Sequence, residues 1–433
     1  MARGSPRCAA RTSGSTSTRG GNLSKGSRPL VCMGSNSVVT VVGGGIAGLV
    51  AATTAAEEGA MVELHDAHAT LGGRARSATS DGFVANLGPH ALYADGPLWA
   101  WLRDRRLNPP CVTPAKRGFR FRWHGLSRRT PPAALVRALP VLRGDAPVDA
   151  TFDEWVASRC GEEPARALAH AAGVVTFVAE PGELSAAFVL ERLRRATKVP
   201  PGARFVVGGW STLIDGLATR ARDLGVRIVT SSPVDEVSTT RGPTVVATSL
   251  DAARRLLGDD TLRWPGARTA LLDVGISSRR GDPYVVSDLD ESGWVERFSI
   301  KDRSLAPAGH SLLQLHLGAR GDEPLEDAVA RAEALLDATY RGWREREVWR
   351  RRSVVDGATG AVDLPGTTWR DRPAIDRGDG VWLAGDAVAA PGLLAEVSWA
   401  SGARAGKAAA AVSVASLASQ PRMAMGSARG PRT

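Results

Sequence analysis

The chain has 433 residues, 43% hydrophobic and 23% charged, which supplies apolar material for more than one domain and excludes a disordered, collagen-like or disulfide-scaffold protein. The net charge of +10 would suit a polyanionic partner, yet residues 1–36 hold six basic side chains and residues 421–433 three, with no acid in either stretch. Without those nine the balance is 46 basic to 45 acidic groups, so the body is near neutral and nucleic-acid binding is not expected.

Residues 1–36 are rich in Ser, Arg, Gly and Thr without apolar periodicity and read as a disordered basic tail. A transit peptide has a similar composition, but Met33 lies just before the first strand, and an upstream overextension is the simpler reading. No apolar segment resembles a secretory signal, and none approaches the ~18 apolar residues of a membrane span. The expected location is cytoplasmic. Cys8 and Cys32 fall in the tail, and Cys111 and Cys160 are isolated, so neither a disulfide framework nor a thiolate metal site is expected. His65 and His68 lack further ligands at metal-binding spacing, and no metal is predicted.

The first confident element is the β-branched run "VVTVV" from Val38, of the kind that fills a buried parallel strand. It runs into Gly43, Gly45 and Gly48 in a G-x-G-x-x-G pattern, an Ala-rich helix opened by Ile46 and Ala47, and a second strand ending at Asp66. This β-α-β unit is a dinucleotide site: the glycines allow the turn, the approach of a pyrophosphate and close helix packing, and the acid accepts from ribose hydroxyls. Helices are predicted near 97–107, 132–143, 150–179, 184–196 and 324–342, with an amphipathic helix after Gly208 and Gly209 and a strand ending near Val234. Strand-like runs occupy 265–320, and "GVWLAGD" reads as a last buried strand. The expected fold class is α/β: a discontinuous Rossmann-type domain with an inserted α+β substrate domain.

Beyond Asp66 the chain reads "AHATLGGRARS", and the stretch from Val62 resembles the FAD-dependent amine oxidase superfamily. There a ribose-binding acid precedes Gly-Gly-Arg at fixed distance. The resemblance implies that Asp66 holds the ribose and that Gly72, Gly73 and Arg74 lie by the FAD phosphates. "ANLGPHALY" resembles the flavin-side loop of the phytoene desaturase-like branch, which implicates Gly88, Pro89 and His90. Val234 falls where the superfamily contacts adenine through its backbone. "VWLAGDAVAAPGLLAEVSWASG" resembles the closing FAD motif, with Gly385 and Asp386 at a strand end and a helix start, including Val397, facing the isoalloxazine.

The resemblance spans about residues 37–412, with two departures: the usual acid is Glu where this chain has Asp66, and the excursion after Val234 is short. It implies an FAD-binding domain over 37–95, 202–262 and 353–418, a substrate domain over 96–201 and 263–352, and a second disordered tail over 419–433. With one glycine motif and no cysteine pair, electrons should pass from an organic substrate to FAD and on to oxygen, a quinone or another acceptor. The expected activity is oxidation (desaturation) of an apolar small molecule by hydride transfer to flavin N5, a substrate class that leaves room for peripheral membrane contact. The alternatives are a flavin amine oxidase and a flavin-binding protein without turnover. His90 is the candidate polar group beside the ring and Lys301 the candidate amine-oxidase lysine. Trp294, Trp369 and Trp399 are candidates for an aromatic cage.

Overall fold

The computed structural model describes residues 38–88, 91–237 and 242–418. Both predicted tails lie outside the described residues, as do Pro89 and His90. In chain order, β1 (Val38–Val42), α1 (Ile46–Glu57) and β2 (Met61–His65) are followed by the β3 (Ser77–Ser80) and β4 (Phe83–Asn86) hairpin, β5 (Leu92–Tyr93) and α2 (Pro97–Asp104). Then come β6 (Cys111–Val112), β7 (Phe119–Trp123), β8 (Leu126–Arg128), α3 (Ala133–Ala138), α4 (Phe152–Cys160), α5 (Glu162–Ala171), α6 (Gly173–Thr176) and α7 (Ala186–Ala196). The middle of the chain forms β9 (Ala203–Val206), α8 (Ser211–Asp223), β10 (Arg227–Val229), β11 (Thr244–Val246) and α9 (Leu250–Leu257). The rest forms β12 (Gly266–Ser277), β13 (Val285–Asp288), β14 (Trp294–Glu296), β15 (His310–Gly318), α10 (Leu325–Thr339), β16 (Glu347–Ala361), β17 (Val381–Leu383) and α11 (Ala395–Ala418).

Five strands build a parallel sheet in the order β10-β2-β1-β11-β17. From β1 the chain crosses to β2 on one side, while β11 flanks β1 on the other, so the carboxyl end of β1 is a switch point where a crevice opens. The strands are nearly all apolar because helices cover both faces, and Val39, Val41, Leu64 and Val245 are fully buried. α1 and α11 cross closely. A side chain at Gly402 would lie 2.4 Å from the Ala47 carbonyl oxygen, and one at Gly406 would lie 2.3 Å from that of Ala51. Two glycines one turn apart thus let the last helix settle on the first.

The second sheet has seven strands in the order β16-β12-β15-β14-β13-β7-β8. Its faces follow the alternation of β residues. Leu272, Val274, Ile276, Leu313 and Leu315 pack under α10 with Tyr340 and Trp343. The opposite face carries Leu271, Asp273, Gln314 and His316 and turns toward β4 and the helices from α3 to α7. The predicted return to the cofactor domain at residue 353 falls inside β16, which stays paired with β12 as far as Ala361. A run of 15 residues with arginines on both faces, "EVWRRRSVVDGATGA", lacks the apolar alternation by which a strand is read from sequence.

Candidate dinucleotide cleft between the two sheets

The three motif glycines have different reasons to be glycine. Gly43 has φ +106°, and a Cβ there would lie 2.4 Å from the Ala247 carbonyl oxygen. A Cβ on Gly48 would lie 1.8 Å from the Gly43 carbonyl oxygen, so the helix packs directly on the turn. Gly45 meets nothing of the protein closer than 3.9 Å. Its neighbour in space is the cavity, so no protein atom demands a glycine at Gly45; a ligand approaching the turn would. Gly45 is also the N-cap of α1; it offers no capping side chain, and the first turn holds no acid. The free N–H groups and positive end of α1 therefore have no counter-charge of their own, which is the condition for binding a phosphate.

Asp66 is buried and turns back toward this loop. Its Oδ2 accepts from the Gly44 amide at 2.7 Å and its Oδ1 from the His68 amide at 2.8 Å. The short side chain thus locks the glycine turn while still lining the cavity. His65 bonds Ser232 at 3.0 Å, His68 sits beside Asp66, and no group of three metal-ligating side chains occurs among the described residues. Gly72 donates its amide to the Gly44 carbonyl at 2.8 Å, which lays the Gly-Gly-Arg segment against the first loop. Arg74 bridges to the Asp386 carboxylate at 2.6 Å and to the Gly357 carbonyl, so one guanidinium ties the first motif, the last motif and the end of β16 together.

These groups line one cavity of about 1310 Å³, larger than the roughly 300–1,000 Å³ that holds a drug-sized molecule and suited to an extended ligand. Its lining includes His68, Val234 and Asp235, the glycine turn and Arg74, and Gly385 and Asp386. It also includes Leu87, Ala91, Trp210, Leu271, Arg351 and Ser353, contributed by the second sheet and by loops. Ile46, Ala47, Gly72 and Gly73 also line it, and the loop that carries Gly88 borders it through Leu87 and Ala91.

Three expected features are placed elsewhere. Lys301 is exposed: after β14 the chain turns through a 3-10 segment that carries Phe298 and Ser299 inward and leaves Ile300 and Lys301 in solvent. No lysine lines the cavity among the described residues. Trp294 is buried against His316, Trp369 lies under Arg370, and Trp399 packs on the cofactor-domain core, so none of the three lines the cavity. Val397 is buried between the cavity-lining Ala395 and Ser398 and does not itself line the cavity. The first turn of α11 carries Glu396, whose Oε2 accepts from the Leu393 amide at 3.2 Å and whose Oε1 pairs with Arg195 at 2.9 Å. Burial pushes the Glu396 carboxyl up despite Arg195. The helix start, expected to serve the ring, borders the main cavity through Leu394, Ala395 and Ser398, while Glu396 lines a second cavity of about 520 Å³.

Trp210, Leu271 and Arg351 were not among the residues singled out from sequence. No local motif marks them; they meet only because β12 pairs with β16 and the loop after β9 reaches β4.

Residues 41–105 match the NAD(P)-binding Rossmann-like domain family. No curated protein is matched by sequence. The fold resembles an oxidoreductase from Methanosarcina mazei at 16% identity and TM-score 0.69, covering 84% of this chain and 98% of that one. It also resembles cyclohexylamine oxidase from Brevibacterium oxydans at 18% identity and TM-score 0.65, over 88% of this chain and 100% of that one. A third likeness is reduced UDP-galactopyranose mutase, at 16% identity and TM-score 0.65, over 89% and 97%. Residues 41–105 thus carry an NAD(P)-binding Rossmann-like domain, and the chain as a whole shares its α/β fold with these solved structures.

Proposed function

We propose that this protein is an FAD-dependent oxidoreductase that desaturates an apolar small molecule. The observation that carries the reading is one cleft that holds the uncapped helix N-terminus beside Gly45 together with the apolar side chains of Leu87, Trp210 and Leu271. The donor set fits FAD: backbone amides and Arg74 for the two phosphates, Asp66 and Val234 at the adenosine end, and Asp386 between phosphates and ring. When bound, the flavin supplies the two-electron acceptor, with hydride received at N5. The chain's own residues bind and orient. Leu87, Ala91, Trp210 and Leu271 exclude water and press an apolar substrate into register, and such a transfer depends more on orientation than on an acid or base.

Fold alone does not choose the reaction, since an amine oxidase and a mutase share it. A flavin amine oxidase is the second reading, favoured by the likeness to cyclohexylamine oxidase. The cationic Arg351 at the ring end of the cavity, where an alkylammonium would be repelled, favours the first. Anaerobic mixing separates them. An apolar unsaturated substrate should bleach the visible flavin band, whereas amines and NADPH should leave it unchanged. Bleaching by amines would give the second reading, rapid bleaching by NADPH a reductase or monooxygenase, and bleaching by no donor a flavin-binding protein without turnover.

A further inference from the structure

We infer that Arg351 is the fixed cation of the reaction cavity and that it sets the reduction potential of the flavin, an inference that rests on the FAD reading above. Arg351 on β16 stands opposite Asp273 on β12, which stands opposite Gln314 on β15, so the three side chains form one row across the face of the sheet that meets the cofactor domain. Asp273 and Gln314 are each 1% exposed. Arg351 Nε donates to Asp273 Oδ2 at 2.7 Å, and its Nη2 donates to the same oxygen and to the Asn86 carbonyl at 2.6 Å. Its Nη1 donates to the Ala85 carbonyl at 3.3 Å. Gln314 Nε2 donates to Asp273 Oδ1 at 2.9 Å and to the Asn86 carbonyl at 3.2 Å.

A guanidinium has five N–H groups and cannot lose its charge in a protein. Four are engaged here, and one hydrogen on Nη1 has no acceptor among the described residues, on a side chain that lines the cavity beside Leu271. The pair is thus a dipole with its positive end toward the cavity and its negative end sealed in the sheet. Arg74, another cation on the cavity lining, is paired with Asp386. Positive charge beside an isoalloxazine favours its reduced, more negative form.

The same contacts also tie the end of β4 to the sheet, so the test must separate charge from scaffolding. The midpoint potential of the purified holoprotein would be measured by dye equilibration for the parent, Arg351→Gln, Arg351→Lys and Asp273→Asn. Loss of the cation should lower the potential by about 30 mV, a tenfold change in relative affinity for reduced over oxidised FAD at two electrons. Asp273→Asn, which removes the countercharge and keeps the cation, should shift the potential upward. Arg351→Lys should hold the parent value while lowering thermal stability, because an ammonium keeps the charge and loses the fork. Opposite signs in Arg351→Gln and Asp273→Asn are not produced by a scaffold that merely loosens. If Arg351→Gln does not fold, the upward shift in Asp273→Asn and the retained value in Arg351→Lys decide. Stoichiometric FAD with shifts of one sign, or none, would overturn the role of Arg351 and leave the cofactor reading intact. A parent protein that binds no FAD would overturn both.

Discussion

With one methylene fewer than glutamate, Asp66 returns its carboxylate to the Gly44 amide, while Arg74 reaches 2.6 Å to Asp386 across a sequence distance of over 300 residues. Arg74→Ala removes this bridge and a charged donor to phosphate. FAD affinity should fall about ten- to a hundredfold, as for the loss of roughly 1.5–3 kcal/mol, which titration of apoprotein with FAD will measure. Glu296 lies deeper; burial pushes its carboxyl up to about 8 although the Tyr284 hydroxyl donates to it. Between its ordinary 4.5 and about 8 the folded protein keeps a proton that the unfolded chain releases, so stability falls as pH rises through that window. Glu296→Gln should therefore raise the melting temperature more at pH 8 than at pH 5; an equal effect at both would show that Glu296 does not titrate there. Gly45, Asp66, Arg74 and Asp386 were legible because each sits in a short motif with a fixed local geometry. Lys301 and the tryptophans fall off the cavity lining because what surrounds a side chain depends on packing that no local motif states.

Among elements, a close contact joins the helix that follows the first glycine turn to the helix that follows the last motif. Gly402 and Gly406 allow it, since a Cβ on either would meet backbone oxygen of α1. Gly406→Ala should destabilise by about 1–3 kcal/mol, as overpacking does, and should loosen FAD because α1 carries the phosphate site. Gly216, inside α8 with nothing within 4 Å of its would-be Cβ, is the control: Gly216→Ala should stabilise by up to about 1 kcal/mol through helix propensity. Chemical denaturation of both variants tests the contrast, and a stabilised Gly406→Ala would refute the packing. The spacing of these glycines is visible in the sequence, but the facing helix is not. The same holds for β16, whose arginines conceal a strand that pairing with β12 makes plain.

At the scale of the molecule, the cleft belongs to neither sheet alone. The glycine turn, the Gly72–Arg74 segment and the Gly385–Asp386 pair come from contiguous motifs, and that part of the lining was readable in order along the chain. The rest of its lining brings together the β4 loop, Trp210, Leu271 and Arg351, which the sequence separates by up to about 260 residues. No described helix is long and apolar enough to cross a membrane. The account stands on FAD occupying this cleft, and one measurement tests it most directly: purified parent protein and Gly45→Glu are denatured, and the released flavin is quantified against protein. The parent should be yellow and release about one FAD per chain, whereas Gly45→Glu, folded by circular dichroism, should be colourless because bulk and negative charge stand where the pyrophosphate would lie. A folded parent without flavin that gains none on incubation with FAD, or a Gly45→Glu protein that keeps a full equivalent, would contradict it.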